Sequence, residues 1–404
     1  MVVRICVVGL GYIGLPTAVV LAQAGQEVIG VDKVPAVVDE INAGRLHFVE
    51  PGLEEVLAKV VSDGALVATT TPTNADVYII AVPTPITTDN RADLSYVEAA
   101  SREIAPVLSG GELLILESTS PPGATEQMRD WIAQERPELD IDSIDFAHGP
   151  ERVLPGQILE ELVANDRIVG GLTQQASERA KEVYALFCQG EIFMTNARTA
   201  EAAKLVENSF RDVNIAFANE LSLIADKLEI DVWELIALAN RHPRVNILTP
   251  GPGVGGHCIA VDPWFLAEAA PDEAKMVRMA RNVNDAKPGF VLDQIRRAGA
   301  EEASKIALLG LAFKKNVDDL RGSPSVAIAQ QVAQAFPQAH VVAVEPYITE
   351  LPRELQSTAI ELVSIEDASN ADVVVLLVDH DVFAQVPETL GDNVNRVDTR
   401  GLWQ

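Results

Sequence analysis

The sequence is poor in cysteine, with Cys6, Cys188 and Cys258 as the only three among 404 residues. An odd and widely spaced set offers neither a disulfide framework nor the CxxC pairs of a structural metal site. Cys6 lies in an apolar, strand-like segment and Cys188 closes an apolar helical stretch, so we interpret both as small core residues. Cys258 has a different setting, because it follows a glycine-rich loop.

Long apolar runs and positive charge are also scarce. No segment approaches the roughly 18 consecutive apolar residues that a membrane helix needs, and the N-terminus runs directly into a glycine motif, unlike a signal peptide. The formal net charge is −28, which repels nucleic acid and anionic lipid. The six histidines show no metal-ligand spacing. We therefore expect a cytoplasmic protein with no metal, no nucleic-acid partner and no membrane partner.

Strand-like and helix-like segments alternate at both ends of the chain. This alternation predicts parallel sheets that are covered on both faces. Near the N-terminus the predicted strands are 4–9, 27–32, 65–68, 77–82 and 112–117. Near the C-terminus they are 305–310, 340–345 and 372–378, with a helix near 325–335.

A helical block separates the two ends. Residues 198–228 contain no Gly or Pro, and their apolar residues recur at three- and four-residue steps, which predicts a long buried helix. A second helix at 231–240, a Pro/Gly-rich loop and further helices to about residue 297 follow. We predict an α/β protein with two Rossmann-like doubly wound domains joined by a central helical dimerisation region. The predicted domains are 1–195, 196–300 (central, with the cysteine loop) and 301–404.

The first strand leads into the sequence Gly9-Leu10-Gly11-Tyr12-Ile13-Gly14. A G-x-G-x-x-G sequence that follows a strand and opens a helix is typical of dinucleotide binding. The helix N-terminus then receives the phosphates. Asp32 ends the second strand, where a carboxylate binds the ribose 2′-hydroxyl and repels a 2′-phosphate, so we predict NAD as the cofactor. The predicted cofactor contacts at this turn are Gly9, Gly11, Tyr12, Ile13, Gly14 and Asp32.

Two further loops follow predicted strands of the same sheet. Pro83 and Thr84 come after the strand at 77–82, and Thr119 comes after the strand ending at residue 117. Because ligands bind outside the carboxyl ends of parallel strands, we predict that these residues contact the nicotinamide end of the cofactor. Thr84 and Thr119 are equally compatible with ordinary turns.

Gly251-Pro252-Gly253-Val254-Gly255-Gly256-His257-Cys258 is the most informative segment. Its glycines allow the backbone to approach a ligand, and we predict that Cys258 stands at the start of a helix, where a thiolate is favoured. Asp262, four residues later, is predicted to face the same site. Lys204 and Asn208 are also four residues apart and share one helix face, and periodicity alone favours an exposed polar pair over a catalytic one.

Several motifs occur in an order that resembles the UDP-glucose/GDP-mannose dehydrogenase family over nearly the whole chain. They are Gly9–Gly14, Pro150-Glu151-Arg152, Lys204-x-x-x-Asn208, Gly253-x-Gly255-Gly256-His257-Cys258 and Gly310-x-x-Phe313-Lys314. Three segments, 151–156, 241–244 and 257–264, look most like the branch that oxidises UDP-N-acetyl-D-mannosamine. The resemblance implies four-electron oxidation of the sugar C6 hydroxyl to a carboxylate, through a thiohemiacetal and a thioester on Cys258.

The resemblance also implies roles for individual residues. The implied catalytic residues are Cys258, Lys204, Asn208, Asp262, Glu151 and Thr119. Arg321 is implied to approach the cofactor. The implied substrate contacts are Glu151, Arg152, Lys204, Asn208, His242, Arg244, Gly253, His257, Phe313 and Lys314. The implied assembly is a homodimer in which Arg244 reaches the neighbouring active site.

Three other functions remain open from the sequence. UDP-N-acetylglucosamine 6-dehydrogenases also carry Gly-His-Cys. N-acetylmannosamine and N-acetylglucosamine differ at one stereocentre, and the identity of the side chains does not show which of the two sugars binds. A two-electron dehydrogenase related to the hydroxyacid dehydrogenases would need no cysteine. A non-catalytic sensor would bind NAD and a nucleotide sugar without forming NADH.

Overall fold

The structure is a computed structural model that describes residues 2–153, 156–256, 258–391 and 393–403. The chain divides into two compact units. The first unit comprises Met1–Glu207 with Trp264–Ala270, and the second comprises Asn208–Pro263 with Pro271–Gln404. The division falls inside the long helix that was predicted from the sequence. Each unit is described separately below.

The first unit is built on one sheet with helices around it. Its strands are β1 (Arg4–Val8), β2 (Glu27–Val31), β3 (Leu66–Thr69), β4 (Val77–Ile80), β5 (Leu113–Leu116), β6 (Asp145–His148), β7 (Arg167–Gly171) and β8 (Ile192–Asn196). Its helices are α1 (Gly14–Gln23), α2 (Pro35–Asn42), α3 (Leu53–Ser62), α4 (Ser95–Ile104), α5 (Ala124–Glu135), α6 (Ile158–Ala164) and α7 (Gln174–Tyr184).

The strand order of this sheet is β3-β2-β1-β4-β5-β6-β7-β8. Neighbouring strands are parallel except β6 and β7, which pair antiparallel. Buried apolar side chains cover both faces, which is the pattern expected of a parallel sheet enclosed by helices. Cys6 is fully buried in one of these clusters, as predicted, and burial raises the pKa of its thiol to about 12. Cys188 is half-buried against the other cluster.

The central helices begin with α8 (Ala197–Leu228), which confirms the predicted long helix. The helix is not buried along its whole length, because large apolar side chains such as Phe210 and Phe217 are exposed in the single chain. Three more follow it along the chain, namely α9 (Val232–Ala239), α10 (Asp262–Ala269) and α11 (Lys275–Ile295). Asp231 caps α9 by accepting hydrogen bonds from the Trp233 and Glu234 amides. None of the described helices is both long enough and apolar enough to cross a membrane.

A second sheet lies in the second unit. Its strands are β9 (Lys305–Leu309), β10 (His340–Val344), β11 (Glu361–Leu362), β12 (Val373–Leu376) and β13 (Asn395–Asp398). The helices that follow α11 are α12 (Pro324–Ala335), α13 (Arg353–Gln356), α14 (Ile365–Ala368) and α15 (Val386–Thr389). All neighbouring strands are parallel in the order β11-β10-β9-β12-β13. This order repeats the β3-β2-β1-β4-β5 part of the first sheet, and the predicted fold class is confirmed.

Candidate functional site

The glycine turn after β1 has the geometry that a dinucleotide requires. Gly9 has φ of +92°, and a Cβ there would lie 2.6 Å from the Ala81 carbonyl oxygen. A Cβ at Gly14 would lie 1.9 Å from the Gly9 carbonyl oxygen. At Gly11, by contrast, a Cβ would meet nothing within 4 Å. The first and third glycines are therefore required by packing, whereas Gly11 faces open space where a pyrophosphate fits above the start of α1.

Asp32 follows β2 and faces the glycine turn. Its carboxylate accepts a hydrogen bond from the Leu10 amide at 3.1 Å and another from the Val34 amide at 3.0 Å. The side chain is half-buried, so it keeps acceptor capacity for a ribose hydroxyl. These residues fit NAD.

Tyr12 connects the glycine turn to a residue that the sequence analysis missed. The Tyr12 hydroxyl donates to a carboxylate oxygen of Glu50 at 2.9 Å. Glu50 is buried and also accepts from the Gly156 and Ile158 amides, each at 2.9 Å. Glu50 thus ties the cofactor turn to the segment that follows Glu151. Its isolated position between two helices gave no local signal of this function.

A buried ionic cluster surrounds Glu151 in the first unit. Arg167 forms ion pairs with Glu151 and, at 3.9 Å, with Glu117. Glu117 also accepts from the Thr17 hydroxyl at 3.1 Å and the Tyr184 hydroxyl at 3.2 Å. Burial, and then the nearby charge of Glu151, raises the pKa of Glu117 to about 8. Arg167 therefore lies between two carboxyl groups, and the raised pKa of Glu117 makes this glutamate easier to protonate than an exposed one.

The other predicted ligand contacts of the first unit occupy loops. Pro83 is exposed, and Thr84 and Thr119 are half-buried. The Ser118 hydroxyl donates to the Val82 carbonyl at 2.8 Å and so joins the loops that carry them. Arg152 forms a 2.6 Å ion pair with Glu207, so a substrate contact by Arg152 would compete with that pair.

The second unit contains a cavity of about 420 Å³ at the carboxyl ends of β9 and β12. Basic groups are prominent in its wall and supply local positive charge in a strongly acidic protein. The basic lining residues are Arg211, Lys314, Lys315 and Arg400. Asp379 also lines it and pairs with Arg400 at 2.9 Å. Such a wall suits a ligand with a diphosphate group.

The glycine-rich loop forms another part of the cavity wall. Gly253 and Gly255 lie against Pro324, where a Cβ would come within 2.9 Å and 2.7 Å of the proline ring. Gly256 has φ of +80°, and a Cβ there would lie 3.2 Å from the Phe313 ring. The loop therefore needs glycine in order to pass Phe313 and Pro324 closely.

Cys258 is exposed and follows this loop. The prediction that it opens a helix is wrong, because α10 begins at Asp262. The chain from Cys258 nevertheless makes one helical turn, in which the Asp262 amide donates to the Cys258 carbonyl at 2.8 Å. The Asp262 side chain is buried and accepts from the Asn208 side-chain amide at 2.5 Å. Asn208 and Asp262, predicted separately, therefore form one pair.

A buried polar network supports the beginning of the glycine-rich loop. The Gly251 amide donates to Asn219 at 2.9 Å, and Asn219 donates to Asn284 at 2.8 Å. Asn284 and Arg281 both donate to Asp212, at 2.7 Å and 2.6 Å. All four side chains are buried on α8 and α11. This network leaves no local signal in the sequence, because it joins polar residues that are about 70 positions apart.

The remaining predicted ligands of the second unit lie in turns. His242 and Arg244 are exposed at the turn after α9. Arg321 is exposed and forms an ion pair with Asp319 at 2.7 Å. His257 lies outside the described residues. Among the described residues, no group of three or more His, Cys, Asp or Glu side chains could hold a metal ion.

Three family models match this chain in sequence. Residues 3–188 match the NAD-binding domain of the UDP-glucose/GDP-mannose dehydrogenase family. Residues 198–286 match the central domain of that family. Residues 307–404 match its UDP-binding domain.

Relatives that are named as nucleotide-sugar dehydrogenases are similar to this chain over nearly its full length. An NDP-N-acetyl-D-galactosaminuronic acid dehydrogenase of Ralstonia nicotianae is 55% identical, with 99% of this chain and 96% of the relative covered. A UDP-N-acetyl-D-mannosamine dehydrogenase of Escherichia coli is 52% identical, with 99% of both chains covered.

Among solved structures, the UDP-D-ManNAc dehydrogenase of Pyrococcus horikoshii has a TM-score of 0.87 at 38% identity, covering 99% of this chain and 96% of that one. The UDP-N-acetyl-mannosamine dehydrogenase of Staphylococcus aureus has a TM-score of 0.84 at 41% identity, covering 99% and 95%. Together with the glycine turn and the basic cavity, these similarities show that the chain belongs to the UDP-glucose/GDP-mannose dehydrogenase family and is an NAD-dependent nucleotide-sugar dehydrogenase.

Proposed function

We propose that this protein oxidises the C6 hydroxymethyl group of UDP-N-acetyl-D-mannosamine to a carboxylate through a covalent intermediate on Cys258. The observation that carries the proposal is the position of Cys258. Its exposed thiol follows a glycine-rich loop that lines the basic cavity, directly before the cavity-lining Ile259. A nucleophile beside a diphosphate-binding cavity suits a sugar whose nucleotide end is held in that cavity.

The net reaction consumes one alcohol, two NAD⁺ and one water, and yields one carboxylate, two NADH and three protons. Bound NAD supplies the hydride acceptor in both oxidations. The first oxidation leaves an aldehyde at C6. The Cys258 thiolate then forms a C–S bond to this carbon, and loss of a second hydride gives a thioester. Water attacks the thioester, the C–S bond breaks, and the thiolate is regenerated with the carboxylate.

Asn208 and Asp262 are assigned to the charge that develops on the C6 oxygen. Asp262 accepts one N–H of the Asn208 amide and so fixes its orientation, which leaves the other amide N–H available as a donor. Lys204, one helical turn earlier in α8, is assigned to the same oxygen as a cation. These roles follow the family resemblance, and the hydrogen bond between Asn208 and Asp262 supports them.

Glu151 and Thr119 are assigned to the water that hydrolyses the thioester. The contact with Arg167 holds the Glu151 side chain in place, and a carboxylate in that position can accept a proton from water. The assignment of His242, His257, Phe313 and Lys314 to substrate binding rests on the resemblance, supported for Phe313 and Lys314 by their place in the cavity wall.

The most specific part of the proposal is the identity of the sugar. Several relatives that are more than 50% identical are named for UDP-N-acetyl-D-mannosamine. The Ralstonia nicotianae relative is named for N-acetyl-D-galactosaminuronic acid, which favours the corresponding galactosamine sugar as a second candidate. UDP-N-acetylglucosamine stays the candidate that the Gly-His-Cys sequence leaves open.

The decisive measurement is the number of NADH molecules formed per sugar consumed. We expect two NADH per UDP-N-acetyl-D-mannosamine, with the 6-carboxylate as the product. A panel with UDP-glucose, UDP-N-acetylglucosamine and UDP-N-acetylgalactosamine identifies the preferred epimer. One NADH per sugar would support a two-electron dehydrogenase, and binding without NADH formation would support a sensor.

We also propose that the protein forms a homodimer through α8. Phe210, Phe217 and Ile224 are spaced seven residues apart on this helix, and Leu228 follows. All four are exposed in the single chain, Phe210 by 71%. A stripe of large apolar side chains on one helix is typical of a helix-packing surface. The exposed turn with Arg244 is assigned to the neighbouring active site.

Analytical ultracentrifugation tests this assembly. We expect wild type to sediment at twice the chain mass and Phe217→Glu to sediment at the chain mass, because a buried charge without a partner opposes association. The matched control is Phe193→Glu, which replaces a similarly exposed phenylalanine on β8. A monomeric wild type, or a dimeric Phe217→Glu, would contradict the proposed interface.

A further inference from the structure

The loop of residues 311–316, which follows β9, forms one wall of the basic cavity. Ala312, Phe313, Lys314 and Lys315 all line it. The loop begins after Gly310, whose φ is +93° and whose Cβ would lie 2.4 Å from the Val378 side chain. Its conformation therefore decides where the aromatic ring and the two ammonium groups stand in the cavity.

A buried carboxylate holds the beginning of this loop. Glu345 follows β10, and one of its oxygens accepts from the Leu311 amide at 2.7 Å and from the Ala312 amide at 3.0 Å. The same oxygen lies 3.1 Å from Nε2 of His380. Burial alone would raise the pKa of Glu345, but hydrogen bonds from His380 and the two amides outweigh it and keep the pKa below its ordinary value. Glu345 is therefore an ionised acceptor.

The same histidine holds the end of the loop. Nδ1 of His380 accepts from the Asn316 amide at 2.9 Å. Since Nδ1 accepts and Nε2 faces a carboxylate, the contacts assign the neutral tautomer with its proton on Nε2. The side chains of His380 and Glu345 are both 0% exposed. Asn316, which has φ of +58°, also donates from its side chain to Asp381 at 2.7 Å.

The first sheet also carries an acid after the strand equivalent to β10, but that acid makes different contacts. β2 lies beside β1 as β10 lies beside β9, and an acid follows each of these strands. Asp32 also accepts from the loop, through the Leu10 amide, but it is half-buried and keeps capacity for a ligand. Glu345 is enclosed, and His380 and two amides occupy one of its oxygens. The acid of the second sheet is therefore placed to hold the loop and not to contact a ribose.

We propose that Glu345 and His380 are positioning residues for the nucleotide-sugar pocket, which fix both ends of the loop 311–316 so that Phe313 and Lys314 face the ligand. The inference rests on the proposed function, because it takes this cavity as the site of the UDP group. Neither residue is assigned contact with substrate. Their effect passes through the backbone amides of the loop, so it should appear in the affinity for the nucleotide and leave the NAD site unchanged.

The test measures UDP binding by isothermal titration calorimetry, with no NAD and no turnover. We expect His380→Leu to weaken UDP binding by about tenfold or more, which corresponds to the loss of one charge-assisted hydrogen bond at the pocket wall. The affinity for NAD, titrated in a separate experiment without UDP, should stay within about twofold of wild type. His380→Asn, which can keep the acceptor for the Asn316 amide, should lose less UDP affinity than His380→Leu.

The matched control is His340→Leu. His340 begins the strand that Glu345 follows, and it pairs with Glu361 at 3.2 Å on the exposed surface. This variant should bind UDP as wild type does. If His380→Leu does not fold, His380→Asn decides the question by the same titration.

Three results would count against the inference. Unchanged UDP affinity in a folded His380 variant would leave these residues with a structural role only. Equal losses of UDP affinity and NAD affinity would indicate general destabilisation. Absence of UDP binding by wild type would overturn the proposed function, and with it this inference, whereas the first two results would leave the proposed function intact.

Discussion

Replacing Cys258 with serine should abolish carboxylate formation, with a loss on the order of 10³-fold or more. The reason is chemical, because an aldehyde gives up a hydride readily only after a nucleophile has added to its carbon. A serine hydroxyl is scarcely ionised at neutral pH, so Cys258→Ser should stop at the aldehyde stage. The measurement is NADH formed per sugar together with identification of the sugar product. Bound aldehyde or its hydrate should replace the carboxylate.

The control for this experiment is Cys188→Ser. Cys188 is half-buried against the core of the first unit, next to a loop, and no role in the reaction is assigned to it. We expect this variant to form carboxylate at the wild-type rate. Both variants should bind UDP and NAD as wild type does. Normal acid formation by Cys258→Ser would refute the covalent mechanism.

Replacing Arg281 with methionine should lower the free energy of unfolding by about 3–5 kcal/mol. Arg281 is 2% exposed and donates to Asp212, which is fully buried. Burial already raises the pKa of Asp212 in the presence of that arginine. Without the arginine, an uncompensated carboxylate would remain in the protein interior. Chemical denaturation, followed by circular dichroism, measures the loss.

Arg296→Met is the matched control, because Arg296 forms exposed ion pairs with Asp293 and Glu301 near the end of the same helical segment. We expect it to cost less than about 1 kcal/mol. The double variant Arg281→Met/Asp212→Leu should recover part of the loss, since it removes both charges. A loss below about 1 kcal/mol for Arg281→Met alone would show that the buried pair contributes little.

The first nucleotide site could be predicted from sequence because its signal is local. Gly9, Gly11 and Gly14 lie within six residues, and Asp32 ends the next strand, so strand, turn and acid could be placed together. The glycine-rich loop predicts a helix that begins at Cys258, whereas α10 begins four residues later, at Asp262. The Asp262-Pro263 sequence at the true start is a typical helix beginning.

The supporting residues could not be predicted, because their contacts join distant parts of the chain. Glu345 and His380 are 35 positions apart, and Asp212 and Arg281 are 69 apart. Each pair depends on strands or helices that become neighbours only in the folded protein. In the sequence, a buried acid cannot be distinguished from the many other acids that give the chain its net charge of −28. The antiparallel pairing of β6 with β7 was missed for a similar reason, since alternation of strands and helices predicts parallel neighbours.

The geometry of the glycine turn also bears on how the sequence can drift over time. Gly9 and Gly14 are confined by the fold itself, because any side chain at either position would collide with backbone. Gly11 meets no such obstacle, so selection preserves it only while a phosphate must approach it closely. A descendant protein that no longer binds the cofactor could therefore replace Gly11 while it keeps Gly9 and Gly14. Among diverged copies of this protein, the middle glycine is the one that records whether dinucleotide binding is still under selection.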